Sequence, residues 1–286
     1  MPRLFCFGLG YSAQALARSL RQRGWTVAGT ARRAETRAAL VADGFEVHLF
    51  DRSRPLTDAA GILAGTTHLL DSVPPDDEGD PAIDRHGDTI ATLDTEWIGY
   101  LSTTGVYGDR GGAWVDETSD LRPIGERGRR RVEAERAWLD LWRRHGRPVH
   151  LFRLAGIYGP GRGPFEQLRA GTAKRVIKPG QVFSRIHVED IVQVLEASMA
   201  HPNPGAAYNV CDNEAAPPQD VIVEASRLLG IAPPPETPFE AANLSPMARS
   251  FYDELKRVSN RRIKEELGVR LRYPTYREGL AALARS

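Results

Sequence analysis

Residues 5–33 read FCFGLGYSAQALARSLRQRGWTVAGTARR, and their order decides the fold. The apolar run Leu4 to Phe7 leads straight into Gly8-Leu9-Gly10-Tyr11-Ser12-Ala13. Ala13, Leu16, Ala17 and Leu20 then recur at the spacing of one helix face, and Gly24 stops that helix before a second apolar run from Trp25 to Gly29. Strand, glycine turn, helix, strand is the setting in which a G-x-G-x-x-A pattern becomes a dinucleotide-binding turn. One glycine makes the tight turn, the next admits backbone to a pyrophosphate, and a small residue at Ala13 lets the helix pack on the strand. The helix N-terminus offers free N–H groups and a positive dipole end to the phosphates. Gly8, Gly10, Tyr11, Ser12 and Ala13 are therefore the expected cofactor-binding residues.

The end of the second strand bears on which dinucleotide is bound. An NAD site usually places an acid there for the ribose hydroxyl. Here the sequence is Gly29-Thr30-Ala31-Arg32-Arg33, with two guanidiniums and no carboxylate. Arginine forks suit a 2′-phosphate, so the expected cofactor is NADP, with NAD the less favoured choice. The alternative is that Arg32 and Arg33 only open a solvated second helix.

The chain has 286 residues, with 38 Lys and Arg against 37 Asp and Glu. That is enough for one sizeable α/β domain and a smaller companion, and the balanced charge points to neither nucleic acid nor an anionic membrane as partner. No apolar stretch approaches a membrane span. The two cysteines, Cys6 and Cys211, lie in apolar runs and read as small buried hydrophobes in a reducing cytoplasm.

Further along, Ala34 to Ala42 reads as a helix, and Phe45 to Phe50, Thr67 to Val73, Trp97 to Ser102 and Val149 to Leu154 as strands. The stretch 74–96 is acidic and rich in Pro and Gly, with weak helix signals. The helix over 127–145 carries Val132, Trp138, Leu139, Leu141 and Trp142 on its apolar face. Alternation of this kind gives a Rossmann-type, doubly wound parallel α/β sheet. Beyond residue 155 the rhythm breaks into a glycine-rich loop (156–163), helices near 165–170, 188–199 and 221–229, a strand over 208–211, a proline-marked loop at 233–238, and a capping box at Thr275-Tyr276-Arg277-Glu278. The expected organisation is a dinucleotide-binding domain over 1–155, rejoined by 184–211. A smaller α/β substrate-side domain would comprise 156–183 and 212–286.

The glycine turn, Asp51, Leu101-Ser102-Thr103-Thr104-Gly105-Val106-Tyr107-Gly108, Tyr158-Gly159-Pro160 and Arg185-Ile186-His187-Val188-Glu189-Asp190 occur in that order. Together, over nearly the whole chain, they resemble the extended short-chain dehydrogenase/reductase superfamily, the NAD(P)-dependent sugar-nucleotide epimerases and dehydratases. The resemblance implies that Asp51 lies near the adenine and that Ser72, Val73 and Pro74 line the nicotinamide ribose. It also implies that Thr103 hydrogen-bonds the substrate oxygen whose carbon exchanges hydride.

The same resemblance exposes a departure. The superfamily's Tyr-x-x-x-Lys pair stands eight and four positions before a Glu. Counting back from Glu135 gives Arg127 and Arg131, and 122–137 contains neither Tyr nor Lys. Arginine neither gives up a proton readily nor acts as a base. The chain is thus similar to atypical members that keep the cofactor fold and lose the relay.

Thr103, Thr104, Tyr107, Arg127 and Arg131 are the catalytic-side candidates, with Tyr107 or water moving the proton. The run Arg127, Arg129, Arg130, Arg131 is open to three readings: a solvated helix start, a holder for a substrate carboxylate or phosphate or for the ribose, or a nucleic-acid contact. The last finds no interleaved aromatics to support it. His187 reads as a structural cap, and the histidines show no metal-ligand spacing. An oxidoreductase or epimerase/dehydratase relative, transferring hydride at an oxygen-bearing carbon of a small molecule that the arginines would suit if it is anionic, is the expected function. The alternative is a non-catalytic NADP(H)-binding redox sensor or regulatory protein. The Trp138/Trp142 face would serve either a homodimer or packing on the chain's own sheet.

Overall fold

The structure is a computed structural model and describes residues 1–285. Its core is built by the alternation expected: β1 (Arg3–Phe7), α1 (Tyr11–Gln22), β2 (Thr26–Ala31), α2 (Ala34–Ala42), β3 (Glu46–Leu49), α3 (Ala59–Leu63), β4 (His68–Asp71), α4 (Pro81–Thr92), β5 (Trp97–Thr103) and, after a break, α5 (Glu126–His145). A seven-stranded sheet takes the order Ala207–Val210, Val149–Leu154, β5, β4, β1, β2, β3. β1 pairs in parallel with both β2 and β4, and β2–β3 and β4–β5 are parallel as well. The strand order reverses between β1 and β4, and in open α/β sheets ligands bind in the crevice at that switch point.

β1 and β4 are buried almost throughout because helices cover both faces of a parallel sheet. Phe5, Phe7, Leu69, Ile98, Tyr100 and Trp138 belong to one buried cluster. Trp138 is fully buried and stacks on Tyr100 with centroids 5.9 Å apart. Of the two tryptophans proposed above as a shared face, Trp138 therefore packs on the chain's own sheet, and only Trp142 is exposed.

The segment 74–96 is more ordered than its composition suggested. Asp80 caps α4 by accepting from the N–H groups of Ala82 and Ile83, with Pro81 in the first turn. The short α3, capped by Asp58, was not anticipated from sequence.

The chain divides into two compact units: 1–103, 129–153 and 195–208 form the first, and 104–128, 154–194 and 209–286 the second. The division thus assigns 104–128, 154–155, 184–194 and 209–211 to the second unit, where sequence reading places them with the first domain. In the second unit Gly156–Tyr158 pairs with Arg185–His187, Arg175–Ile177 with Glu236–Pro238, and Trp114–Val115 with Arg257–Val258. The first and second of these pairs put strands inside stretches read as loops. A core of Tyr158, Phe165, Val221, Ala225, Tyr276 and Leu280 lies between its helices. The capping box at Thr275 and Glu278 opens the last helix as its spacing requires. Cys6 and Cys211 are buried free thiols.

Candidate functional site

In the first unit the turn after β1 is held from three sides. Gly8 has φ +80°, a conformation that favours glycine. A Cβ there would come within 3.1 Å of Ser72 Oγ and 3.2 Å of Val73 Cγ2. The Gly8 N–H donates to Thr30 Oγ1 at 2.8 Å, Leu9 N–H donates to Thr30 O at 2.7 Å, and Ser72 Oγ donates to Gly8 O at 2.6 Å. Leu9 is buried against Gly29, where a Cβ would lie 2.6 Å from Cys6 O and 2.8 Å from Leu9 Cγ. Thr30 and Gly29 are thus part of the turn's support, and the sequence reading did not single them out. Their signal was available: a small residue and a hydroxyl at the end of β2, opposite the glycines.

The turn delivers the chain into α1 with Gly10 as N-cap, and no side chain caps that end or places an acid in the first turn. A twelve-residue helix therefore presents its orphan N–H groups and dipole toward the switch point. Tyr11 is half-buried, and Ser12 and Ala13 are buried.

At the end of β2, Arg32 and Arg33 are exposed, and Arg33 N-caps α2 in an extended conformation without a side-chain cap. Among the described residues neither side chain has an ion-pair partner. A third guanidinium joins them: Arg54 donates to Arg32 O at 2.7 Å and pairs with Asp51 Oδ2 at 2.9 Å. Asp51 also accepts from the Ser53 hydroxyl at 2.6 Å, and that bond foremost holds its carboxyl below the usual range. Ser72, Val73 and the exposed Pro74 follow β4 directly. Asp71, wholly buried at the strand end, accepts from Val73 N–H at 3.0 Å. Arg52 ties the loop after β3 to the loop after β4 through Asp76 and to α4 through Asp84, each at 2.7 Å.

The catalytic-side candidates are not gathered in one unit. Thr103, half-buried, closes β5 in the first unit, while Thr104 opens a single 3₁₀ turn in the second. Tyr107 is wholly buried and its hydroxyl donates to Asn209 Oδ1 at 2.7 Å. The expectation that Tyr107 moves a proton is therefore corrected: a phenol sealed in the core and committed to an amide does not reach a ligand. Arg127 is exposed in the second unit, its guanidinium 5.6 Å from the Phe251 ring centroid.

Arg131 stands in the first unit and donates through Nη1 to Leu101 O at 2.6 Å and Tyr100 Oη at 3.1 Å. Beneath it Ser102 Oγ donates to Glu135 Oε1 at 2.6 Å, and Arg153 grips the same carboxylate at 3.1 and 2.8 Å. α5 holds no Tyr and no Lys. His187 accepts from Glu189 N–H on Nδ1, and burial pushes its pKa down to about 4, consistent with a neutral structural ring.

No family model matches the chain. A functionally unknown conserved protein from Silicibacter pomeroyi DSS is 55% identical, with TM-score 0.90 over 100% of this chain and 99% of that one. The chain belongs to the same family as that protein. Protein YeeZ of Escherichia coli K12 is 29% identical across 96% of this chain and 97% of its own length. The UDP-glucuronic acid 4-epimerase of Bacillus cereus, solved with UDP-glucuronic acid and NAD, superposes with TM-score 0.81 at 15% identity, covering 100% of this chain and 98% of its own. That epimerase and this chain accordingly share one fold, the Rossmann-type parallel α/β sheet described above.

Proposed function

We propose that this protein binds a nicotinamide dinucleotide on the glycine turn and transfers hydride at an oxygen-bearing carbon of a small molecule. One observation carries the reading: the turn at Gly8 to Gly10, braced by Thr30 and Ser72, opens onto the uncapped end of α1 at the switch point of the sheet. A side chain at Gly8 would fill that cradle. Bound there, the nicotinamide would supply or accept the hydride. The backbone N–H groups of α1 would hold the phosphates, and Thr103, at the end of β5, would orient the substrate oxygen by a hydrogen bond.

Of the two dinucleotides we favour NADP. β2 ends without a carboxylate, and Arg32, Arg33 and Arg54 stand beside the uncapped start of α2, which suits a phosphate. The Bacillus cereus epimerase holds NAD, so calorimetric titration with both is the direct test. Tighter binding of NADP supports the assignment, and equal or tighter binding of NAD overturns it.

A second reading has its own observation. α5 carries no Tyr or Lys, and Tyr107 is sealed away, which suits a sensor that binds NADP(H) without turning it over. Cofactor oxidation or reduction that disappears in Thr103→Val favours the enzyme. Stable binding with no turnover across aldehydes, ketones and sugar nucleotides favours the sensor.

A further inference from the structure

We propose that Arg131 is a docking point for an oxyanion, a carboxylate or phosphate group on the molecule that the dinucleotide-bound protein acts on or senses. The guanidinium is fixed by one nitrogen only: Nη1 serves both Leu101 O and Tyr100 Oη. Nε and Nη2 have no protein partner among the described residues, and the side chain is half-buried. No carboxylate of those residues lies within 4 Å of it, in contrast to Arg153, whose charge is met by Glu135 one turn further along α5. The Tyr100 ring lies 5.7 Å from the guanidinium carbon and limits its movement.

Asp71 acts on this guanidinium through space, and Asp80 acts on Asp71. Both are buried, neither forms an ion pair with Arg131, and burial raises both carboxyls above their usual range. Asp80 is already engaged by Ala82, Ile83 and the Trp138 indole. The result is a pre-oriented fork with its two-nitrogen edge open, anchored at the carboxyl end of β5 two residues before Thr103. That edge matches the paired oxygens of a carboxylate or phosphate. A partly desolvated guanidinium without a counter-ion gains most from such a partner.

The proposal rests on the dinucleotide reading only in calling the anion part of a substrate or signal, and the experiment separates the two. Protein saturated with NADP, so that the glycine turn is occupied, is titrated with sodium acetate and, separately, sodium phosphate at constant ionic strength. Melting temperature is the readout for wild type, Arg131→Lys and Arg131→Gln. Gln keeps an N–H for Leu101 O, which guards against simple unfolding, and Lys keeps charge without the fork.

At least one anion should raise the wild-type melting temperature with a saturable midpoint. In Arg131→Gln that midpoint should move by at least about tenfold, with Arg131→Lys between. A response to acetate alone assigns a carboxylate, and a response to phosphate alone a phosphoryl group. No saturable response in wild type, or an unchanged midpoint in Arg131→Gln, overturns the proposal. So does loss of NADP binding in a folded Arg131→Gln, since the fork would then belong to the cofactor. Failure of wild type to bind either dinucleotide overturns the reading of function instead, and the acetate titration of free protein still decides Arg131.

Discussion

Thr30 shows how much one hydroxyl carries at this site. It is 1% exposed, and its Oγ1 accepts the Gly8 N–H inside the turn. In Thr30→Val the shape survives and the acceptor does not, leaving a backbone donor unsatisfied, which costs about 1–3 kcal/mol. Urea unfolding should register that loss, and dinucleotide affinity should fall with it because the turn is no longer pinned. Unchanged affinity would remove Thr30 from the site. Glu135 is a harder case. Its carboxylate meets Arg153 and Ser102 in a pocket that leaves the two ionic side chains 3% and 7% exposed. Glu135→Gln leaves a buried guanidinium without its counter-ion and should lose about 3–5 kcal/mol. Glu135→Leu with Arg153→Met should recover much of that, and a double variant as unstable as the single one would show that the ion pair itself holds the strand Val149–Leu154 to α5.

At the scale of elements, what the sequence made legible was whatever local physics determines. Periodicity placed α2 and Val149–Leu154 with their observed bounds, and the capping box marked the start of the last helix. α4 was missed because its acidic, Pro- and Gly-rich approach reads as loop. The start signal was nonetheless present in Asp80-Pro81, a cap followed by proline in the first turn. The glycine turn was readable because its geometry needs particular residues. Its braces left only a weak trace, a hydroxyl at the end of each neighbouring strand, since Thr30 and Ser72 meet Gly8 through strand pairing. The buried Tyr107 and the half-anchored Arg131 are likewise facts of packing, invisible in spacing. Removing the cap tests the element directly. Asp80→Ala deletes the acceptor for Ala82, Ile83 and Trp138 and should lower stability by about 2 kcal/mol, at the upper end of the range for caps. Asp58→Ala at the short α3 should lose less, and similar losses by urea unfolding would argue that the Trp138 bond adds nothing.

For the whole molecule, buried titratable groups pull stability in opposite directions between about pH 4 and pH 7. Burial lowers His86, and brings His150 and His187 down to about 4. These rings take up protons less readily in the fold than in the unfolded chain, so their contribution is lost as pH falls below about 6.5. Burial raises Asp190 to about 6 and Asp212 to about 7. The folded state holds those protons more tightly, so stability from these two groups falls as pH rises from about 4 through the folded values.

Asp212 isolates one of the two effects. It is 3% exposed, accepts from Glu214 N–H through Oδ1, leaves Oδ2 without a partner, and feels Arg185, Glu214 and Asp190 through space. Asp212→Asn keeps the shape and removes the titration. The stability of this variant relative to wild type should therefore increase from about pH 4 to pH 7 and level off above. The slope from this group is at most about 1.4 kcal/mol per pH unit. Urea unfolding at about pH 5 and about pH 8 measures the difference twice. A constant offset between the two would mean that Asp212 stays ionised in the fold, and that burial is not what governs it.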